Sequence, residues 1–300
     1  MANQILFTPN DSGLGNDVKN KVMVGKNFTG DLATFNGKVF VIDLENLPDQ
    51  YNPLNLPPNT IRVKYKSGVT PTVGDTQTLV DESNNIWDIE KSSYKWDSLF
   101  SSQSDLLEVL GGNTKNVTCM DWMFYNCTSL TRVELFSMEN VKFDQAHQNF
   151  AMFQECTSLT TLPNFYAPKL TILGQCFYKC TSLRTVPHWN TSHITSMYNM
   201  FSYCTALETV PLFDMSNVTN CNYMFNNCTS LEEIPLFDMR SASVINSMFA
   251  GCVNVRTGAL DLYNQLKNDP PSNYADTFYN CGSNTQTGAA ELAQIPNDWK

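Results

Sequence analysis

Along most of the chain, an aromatic residue is followed three positions later by cysteine. The pairs are Phe124…Cys127, Phe153…Cys156, Phe177…Cys180, Phe201…Cys204, Phe225…Cys228, Phe249…Cys252 and Phe278…Cys281. Phe100, with Gln103 in the cysteine place, is a degenerate first member. Successive phenylalanines lie 24, 29, 24, 24, 24, 24 and 29 residues apart. Two five-residue insertions thus interrupt a fixed period, the signature of a repeat architecture. Each unit continues in register. Six residues past the Phe stands Leu106, Leu130, Leu159, Leu183, Leu207, Leu231 or Val255, and nine past it Val109, Val133, Leu162, Val186, Val210 or Ile234. Pro163, Pro187, Pro211 and Pro235 follow at once, and Phe136, Phe165, Trp189, Phe213 and Phe237 form a second aromatic position. Methionine directly precedes five of the phenylalanines.

No single unit can bury these positions, so neighbours must stack into a continuous core. The spacing follows neither 3.6 nor 2 for long, which predicts that each coil mixes a short strand with other structure. The Leu-x-x-Val-Pro stretch reads as the extended side. The stretch before each Met-Phe, such as Ser216 to Tyr223, reads as a short capped helix. Outside the repeat, residues 1 to 95 carry β-rich runs at Lys38–Ile42, Thr60–Tyr65 and Ile86–Ile89, with turns at Ser67-Gly68 and Val73-Gly74-Asp75. They predict a small β-rich domain that attaches the molecule to something and caps the first coil. The proline-rich stretch from Leu47 to Pro58 reads as a connector. Residues 96–257 form the repeat. Residues 258–300 predict a cap: a helix at Ala259–Lys267 stopped by Pro270-Pro271, then a last degenerate coil with Ala289–Ala293.

Seven of the ten cysteines share one repeat position, which turns an apparent disulfide count into a ladder of small buried thiols. The ladder expected at the core is Phe124, Cys127, Phe153, Cys156, Phe177, Cys180, Phe201, Cys204, Phe225, Cys228, Phe249 and Cys252. Cys176 and Cys180 have no second pair or nearby histidine to complete a zinc site. Charged residues are 16% of the chain, below the usual quarter, and 29 acids against 19 bases give a net charge of -10. This disfavours a nucleic-acid clamp, and no apolar window is long enough for a membrane span. Met1 to Phe7 lacks the basic region, apolar run and cleavage site of a secretory signal.

The stretch Cys-Thr-Ser-Leu-x-x-(Val/Ile)-Pro-x-Phe-Asp-Met, read from Cys204 to Phe225 and from Cys228 to Phe249, resembles BspA-like leucine-rich repeats, the type shared with Treponema and Mycoplasma surface proteins. The resemblance spans residues 96 to 257. It implies an α/β leucine-rich-repeat solenoid, right-handed and of about eight coils, used for protein or glycan contact, with no catalytic residues to carry over. The departures are the insertion around Lys142–Asn149, Cys176 in place of methionine, and the shifted Ser243-Val244-Ile245. The flanks, Leu56–Val63 on one side and Gly258–Gln265 with Cys281–Thr285 on the other, resemble repeat proteins encoded by gut Bacteroidales and their tailed phages.

Enzyme signals are thin. His147, His188 and His193 fall at different coil positions without a matching nucleophile, and the carboxylate pairs Asp81-Glu82 and Glu232-Glu233 are sequence neighbours that do not face each other across a cleft. Asn190, Asp214 and Asp238 share an offset that suits turn or cap duty better than calcium. The Asn-x-Thr triplets at Asn126 and Asn227 likewise read as turn chemistry. No cofactor and no metal are expected. Variation is concentrated in a stripe seven and eight residues past the Phe and just after it, where Tyr125, Arg132, Thr161, Tyr178, Arg184, Tyr203, Glu208 and Glu232 are the candidate binding residues. The bland alternative is that these are the solvated edge of each coil. The expected function is a non-enzymatic virion component, assembled in the host cytoplasm. It would bind other virion proteins through the N-terminal domain and a host-surface protein or glycan through the solenoid. A bacterial cell-surface adhesin is the other reading. Self-association into a homo-oligomer stays open.

Overall fold

The structure, a computed structural model, describes residues 52–143 and 150–300. The predicted strand at Lys38–Ile42, His147 and most of the Lys142–Asn149 insertion lie outside the described residues. Strand β1 (Thr60–Tyr65) is flanked antiparallel by β3 (Ile86–Glu90) and β4 (Leu106–Asn113), and β2 (Thr76–Asp81) pairs antiparallel with β3. On the far side, β4 pairs parallel with β5 (Arg132–Val133), giving the order β2-β3-β1-β4-β5. The β1 strand coincides with the run expected there. Among the described residues, β4 of the first repeat unit shares a sheet with β1 and β3. Ile61 and Val63 of β1 and Val109 of β4 fall in one continuous core with the repeat phenylalanines.

Beyond β5 the ladder shrinks to single parallel bridges, at Arg132↔Thr161, Thr185↔Thr209 and Glu233↔Thr257. Proline supplies the reason. Units with Pro163, Pro187, Pro211 and Pro235 lose the N–H that would extend the pairing, whereas β4 of the Phe100 unit, with Leu110 in that place, reaches eight residues through its antiparallel pairing with β1. A second bridge column runs through Ile172, Ser196, Asn220, Val244 and Asn273, five residues before each Phe.

The short helix expected before each Met-Phe is not formed; the segment is a bridge residue followed by turns. Two left-handed residues per unit prevent a helix. They lie two before and two after the Phe: Trp122 and Asn126, Gln175 and Lys179, Asn199 and Tyr203, Tyr223 and Asn227. Each such residue costs on the order of 1–2 kcal/mol unless its surroundings hold it. What holds it is hydrogen bonding between units. The Phe124 N–H donates to Met152 O at 2.9 Å, Phe153 to Cys176 O at 2.9 Å, Phe177 to Met200 O at 2.9 Å and Phe201 to Met224 O at 2.8 Å. Intervening N–H groups close the turn inside the unit, as from Cys127 to Phe124 O at 3.2 Å.

The core is two aromatic columns. The phenylalanine rings stack nearly parallel, with centroids 5.3 Å apart for Phe100–Phe124 and Phe124–Phe153, 5.6 Å for Phe153–Phe177 and 5.5 Å for Phe177–Phe201. The column continues through Phe225, Phe249 and Phe278. Phe136, Phe165, Trp189, Phe213 and Phe237 form the second column, its members leaning on the first. Such pairs are worth about 0.5–1.5 kcal/mol each beyond area burial. The leucines six past each Phe are all fully buried.

The last units close on α1 (Ala259–Leu266) and α2 (Gln286–Gln294). Gly258 turns the chain into α1 at φ 100, where a Cβ would meet Ile234 O at 2.2 Å. The Thr285 hydroxyl caps α2 by accepting from the Gly288 N–H at 3.0 Å. Ile295 and Trp299 then bury against the end of the core, the Trp299 ring stacking on Tyr274 at 4.3 Å. No helix among the described residues is long and apolar enough to cross a membrane.

Candidate interaction surface

All ten cysteines are buried. The ladder thiols donate to the phenylalanine carbonyl of the preceding unit: Cys127 to Phe100 O at 3.0 Å, Cys156 to Phe124 O at 3.0 Å, Cys204 to Phe177 O at 3.0 Å and Cys252 to Phe225 O at 3.0 Å. Burial pushes Cys127 and Cys252 up to about 12 and raises Cys156, Cys180, Cys204 and Cys228 as well. A thiolate nucleophile or metal ligand needs the opposite shift, so the ladder carries no chemistry of that kind.

Threonine and serine, expected at turns and caps, also tie unit to unit. Thr195 Oγ1 donates to Thr171 O at 3.2 Å, Thr219 Oγ1 to Thr195 O at 3.2 Å and Ser243 Oγ to Thr219 O at 3.1 Å. A second hydroxyl column runs through the Cys-Thr-Ser threonines, with Thr181 donating to Thr157 O at 3.3 Å and Thr229 to Thr205 O at 3.3 Å. The asparagines of the Asn-x-Thr triplets, Asn126 and Asn227, occupy left-handed positions. Asp214 accepts from the N–H and hydroxyl of Ser216 at 3.0 and 2.6 Å, Asn190 binds Ser192 in the same way, and Asp238 pairs with Arg240. Those contacts make turns.

The eight candidate binding residues resolve into two columns. Tyr125, Tyr178 and Tyr203 lie on the turn side of their units. There Tyr178 meets Tyr203 edge to face at 5.9 Å, and Tyr125 leans on Trp122 at 5.2 Å. Between them, Lys179 Nζ lies 3.2 Å from Glu155 Oε1 and 5.1 Å from the centre of the Tyr178 ring. The Glu155 carboxylate holds the Lys179 ammonium above its ordinary value. Tyr203 is 41% exposed. The other column lies along the bridges. Arg132 pairs with Glu108 at 3.1 Å and Glu134 at 3.2 Å, Thr161 bridges to Arg132, Arg184 pairs with Glu208 at 2.8 Å, and Glu232 with Arg256 at 3.1 Å. Trp122 was not among the candidates, although Tyr223 at the same offset hints at an aromatic there.

Among the described residues, His193 and the Asp81 carboxylate are engaged in local contacts. His193 Nε2 lies 2.9 Å from Ala167 O, and Asp81 accepts from Ser83 and Asn84 in a turn. The core cavity of about 50 Å³ is walled by Phe153, Phe177, Trp189, Ile194 and neighbours, mostly apolar, beside the unit that carries the first insertion. Among the described residues, no three His, Cys, Asp or Glu side chains converge on a point that could hold a metal ion.

The profile of the family described as "Mycoplasma protein of unknown function, DUF285" matches residues 75–165 and 147–263. The chain belongs to this family. The match takes in Cys204–Phe225 and Cys228–Phe249, the stretches that carry the BspA-like leucine-rich-repeat resemblance, and this DUF285 chain is a repeat protein of that kind. Comparison with curated proteins gives no match. A leucine-rich repeat protein from Eubacterium ventriosum ATCC 27560, known from a crystal structure at 2.50 Å, is similar at 24% identity over 44% of this chain, with a TM-score of 0.31. The DUF285 chain spans about a third of that protein's length, the matched share being 33%.

Proposed function

We propose that this DUF285 protein is a non-enzymatic binding protein, a solenoid of about eight coils whose turn side engages a protein partner. The observation that carries the reading is the pair of aromatic contacts on the turn side, Trp122–Tyr125 and Tyr178–Tyr203, with the Lys179–Glu155 ion pair against the Tyr178 ring. Tyrosine and tryptophan are the residues that most often anchor protein interfaces. Here they are borne by backbone held on both sides by neighbouring units, so little ordering entropy is lost on binding. The reading is consistent with the buried, proton-holding ladder thiols and with Asp214 and Asp238, which are engaged in turns.

The protein fits a structural component of a gut-phage particle, a fibre, decoration or host-contact protein, with the N-terminal region making the attachment to other virion proteins. Mass spectrometry of purified particles tests this: the chain is expected among the virion proteins, and its absence overturns the assignment. The second reading, a bacterial surface adhesin, is favoured by the family's description as a Mycoplasma protein, since Mycoplasma is a cell. Recovery of the chain from a surface-shaved bacterial fraction, with none in particles, would decide for it.

A further inference from the structure

Three consecutive units and the start of α2 enclose a surface depression of about 280 Å³ on the bridge column. Its lining is Glu208, Ser230, Glu232, Asn254, Arg256 and Thr285, every one polar. Its charges are balanced within the column. Arg184 Nη1 donates to Glu208 Oε1 at 2.8 Å and Arg256 Nη2 to Glu232 Oε1 at 3.1 Å, each bond engaging one of the two carboxylate oxygens. Asn254 Nδ2 donates to Thr229 O at 2.8 Å, which turns its side-chain carbonyl away from that bond. The Thr285 hydroxyl is spent on Val255 O and on the α2 cap.

The chemistry narrows the ligand. An anion would meet two carboxylates. A cationic side chain would meet carboxylates already neutralised by arginine, and an apolar group would face a mostly polar wall. A metal ion lacks three converging ligands. A neutral polyol suits what is present, because each hydroxyl both donates and accepts. Carboxylate and amide oxygens accept from it, and guanidinium and serine groups donate to it. Small-molecule pockets begin at roughly 300 Å³ and are mostly apolar. This depression is at the small end and mostly polar, so it suits one sugar ring and not a drug-like molecule.

We propose that the Glu208–Glu232–Arg256 depression is a binding site for a single neutral saccharide unit. It goes beyond the protein-binding role of the turn side and rests on different residues. The test is saturation-transfer NMR on the full chain with methyl α-mannoside, methyl β-galactoside and N-acetylglucosamine at millimolar concentration. At least one sugar is expected to show transfer. Ser230→Trp, which fills the depression, and Glu232→Ala, which removes an acceptor and releases Arg256, should each weaken it by about ten-fold or more. Tyr203→Ala should leave it unchanged. If Ser230→Trp lowers the melting temperature, Glu232→Ala alone decides. Absence of transfer from all three sugars, transfer that survives Glu232→Ala, or transfer lost in Tyr203→Ala would each overturn the proposal. The first two results leave the protein-binding reading standing, because that reading is scored by partner capture and not by sugar.

Discussion

Cysteine and asparagine show how much a single residue's environment decides. A thiol ionises near 9.0 in the open, while Cys127 and Cys252 are pushed to about 12 and Cys156, Cys180 and Cys228 well up, all by burial. The folded chain therefore keeps protons that the unfolded chain gives up. Stability is fully present below the open-chain value and falls as pH rises towards the folded one, by about 1.4 kcal/mol per pH unit for each such thiol. Because these thiols act together, circular dichroism against pH should show cooperative alkaline unfolding starting close above pH 9. A chain that stays folded to about pH 11 would contradict the buried ladder. In the native state at neutral pH the thiols should not react with a thiol reagent, and all ten should react once the chain is denatured. At the left-handed positions, Asn280 (φ 55) gives a clean comparison. Asn280→Val should cost about 1–2 kcal/mol in chemical denaturation and Asn280→Gly a few tenths, because only the β-branched side chain clashes there.

Elements were legible to different degrees. The β1 and β3 strands could be read because Val, Ile and Trp alternate with polar residues there. The β2 strand, Thr-Gln-Thr-Leu-Val-Asp, could not: it lies at the sheet edge with Leu79 and Val80 both exposed, so it has no buried face to leave a pattern. The stretch before each Met-Phe reads as a helix in the sequence because Trp122, Gln175 and Tyr223 carry no left-handed signature of their own. Their conformation is imposed by hydrogen bonds to the next unit, which local propensity cannot reveal. Arg184, Glu208, Glu232 and Arg256 share one offset, so their pairing could have been read from the period, and it leaves the tyrosines as the less encumbered of the candidates. At the C-terminal end, α2 is seated by a close approach: a Cβ on Gly288 would fall 2.1 Å from Val255 O. Gly288→Ala should therefore lower stability by roughly 1–3 kcal/mol, and amide exchange should show the loss centred on residues 285–300 of α2 and Trp299. A uniform loss across the chain would mean that the cap and the repeat unfold as one.

For the whole molecule, the contacts that matter join neighbours. Bridges, hydroxyl columns and ring stacks link one unit to the next at a separation of 24 residues wherever no insertion intervenes, and the thiol bonds do so at 27. Stability is then close to a sum of unit and interface contributions. Unit number should be adjustable, and a chain with residues 205–228 repeated once should fold and melt no lower than the original; failure of that longer chain to fold would show that the ends sense each other. The stacked phenylalanine column gives this a genetic meaning. Since each ring from Phe124 to Phe249 lies between two equivalent rings, Phe201–Phe225 at 5.6 Å like Phe153–Phe177 before it, the junctions between 24-residue units match one another. Unequal crossing-over between the corresponding stretches of DNA would therefore insert or remove whole coils without damaging a core. A lineage carrying this gene could lengthen or shorten the proposed binding surface in single recombination events, faster than point mutation could reshape it.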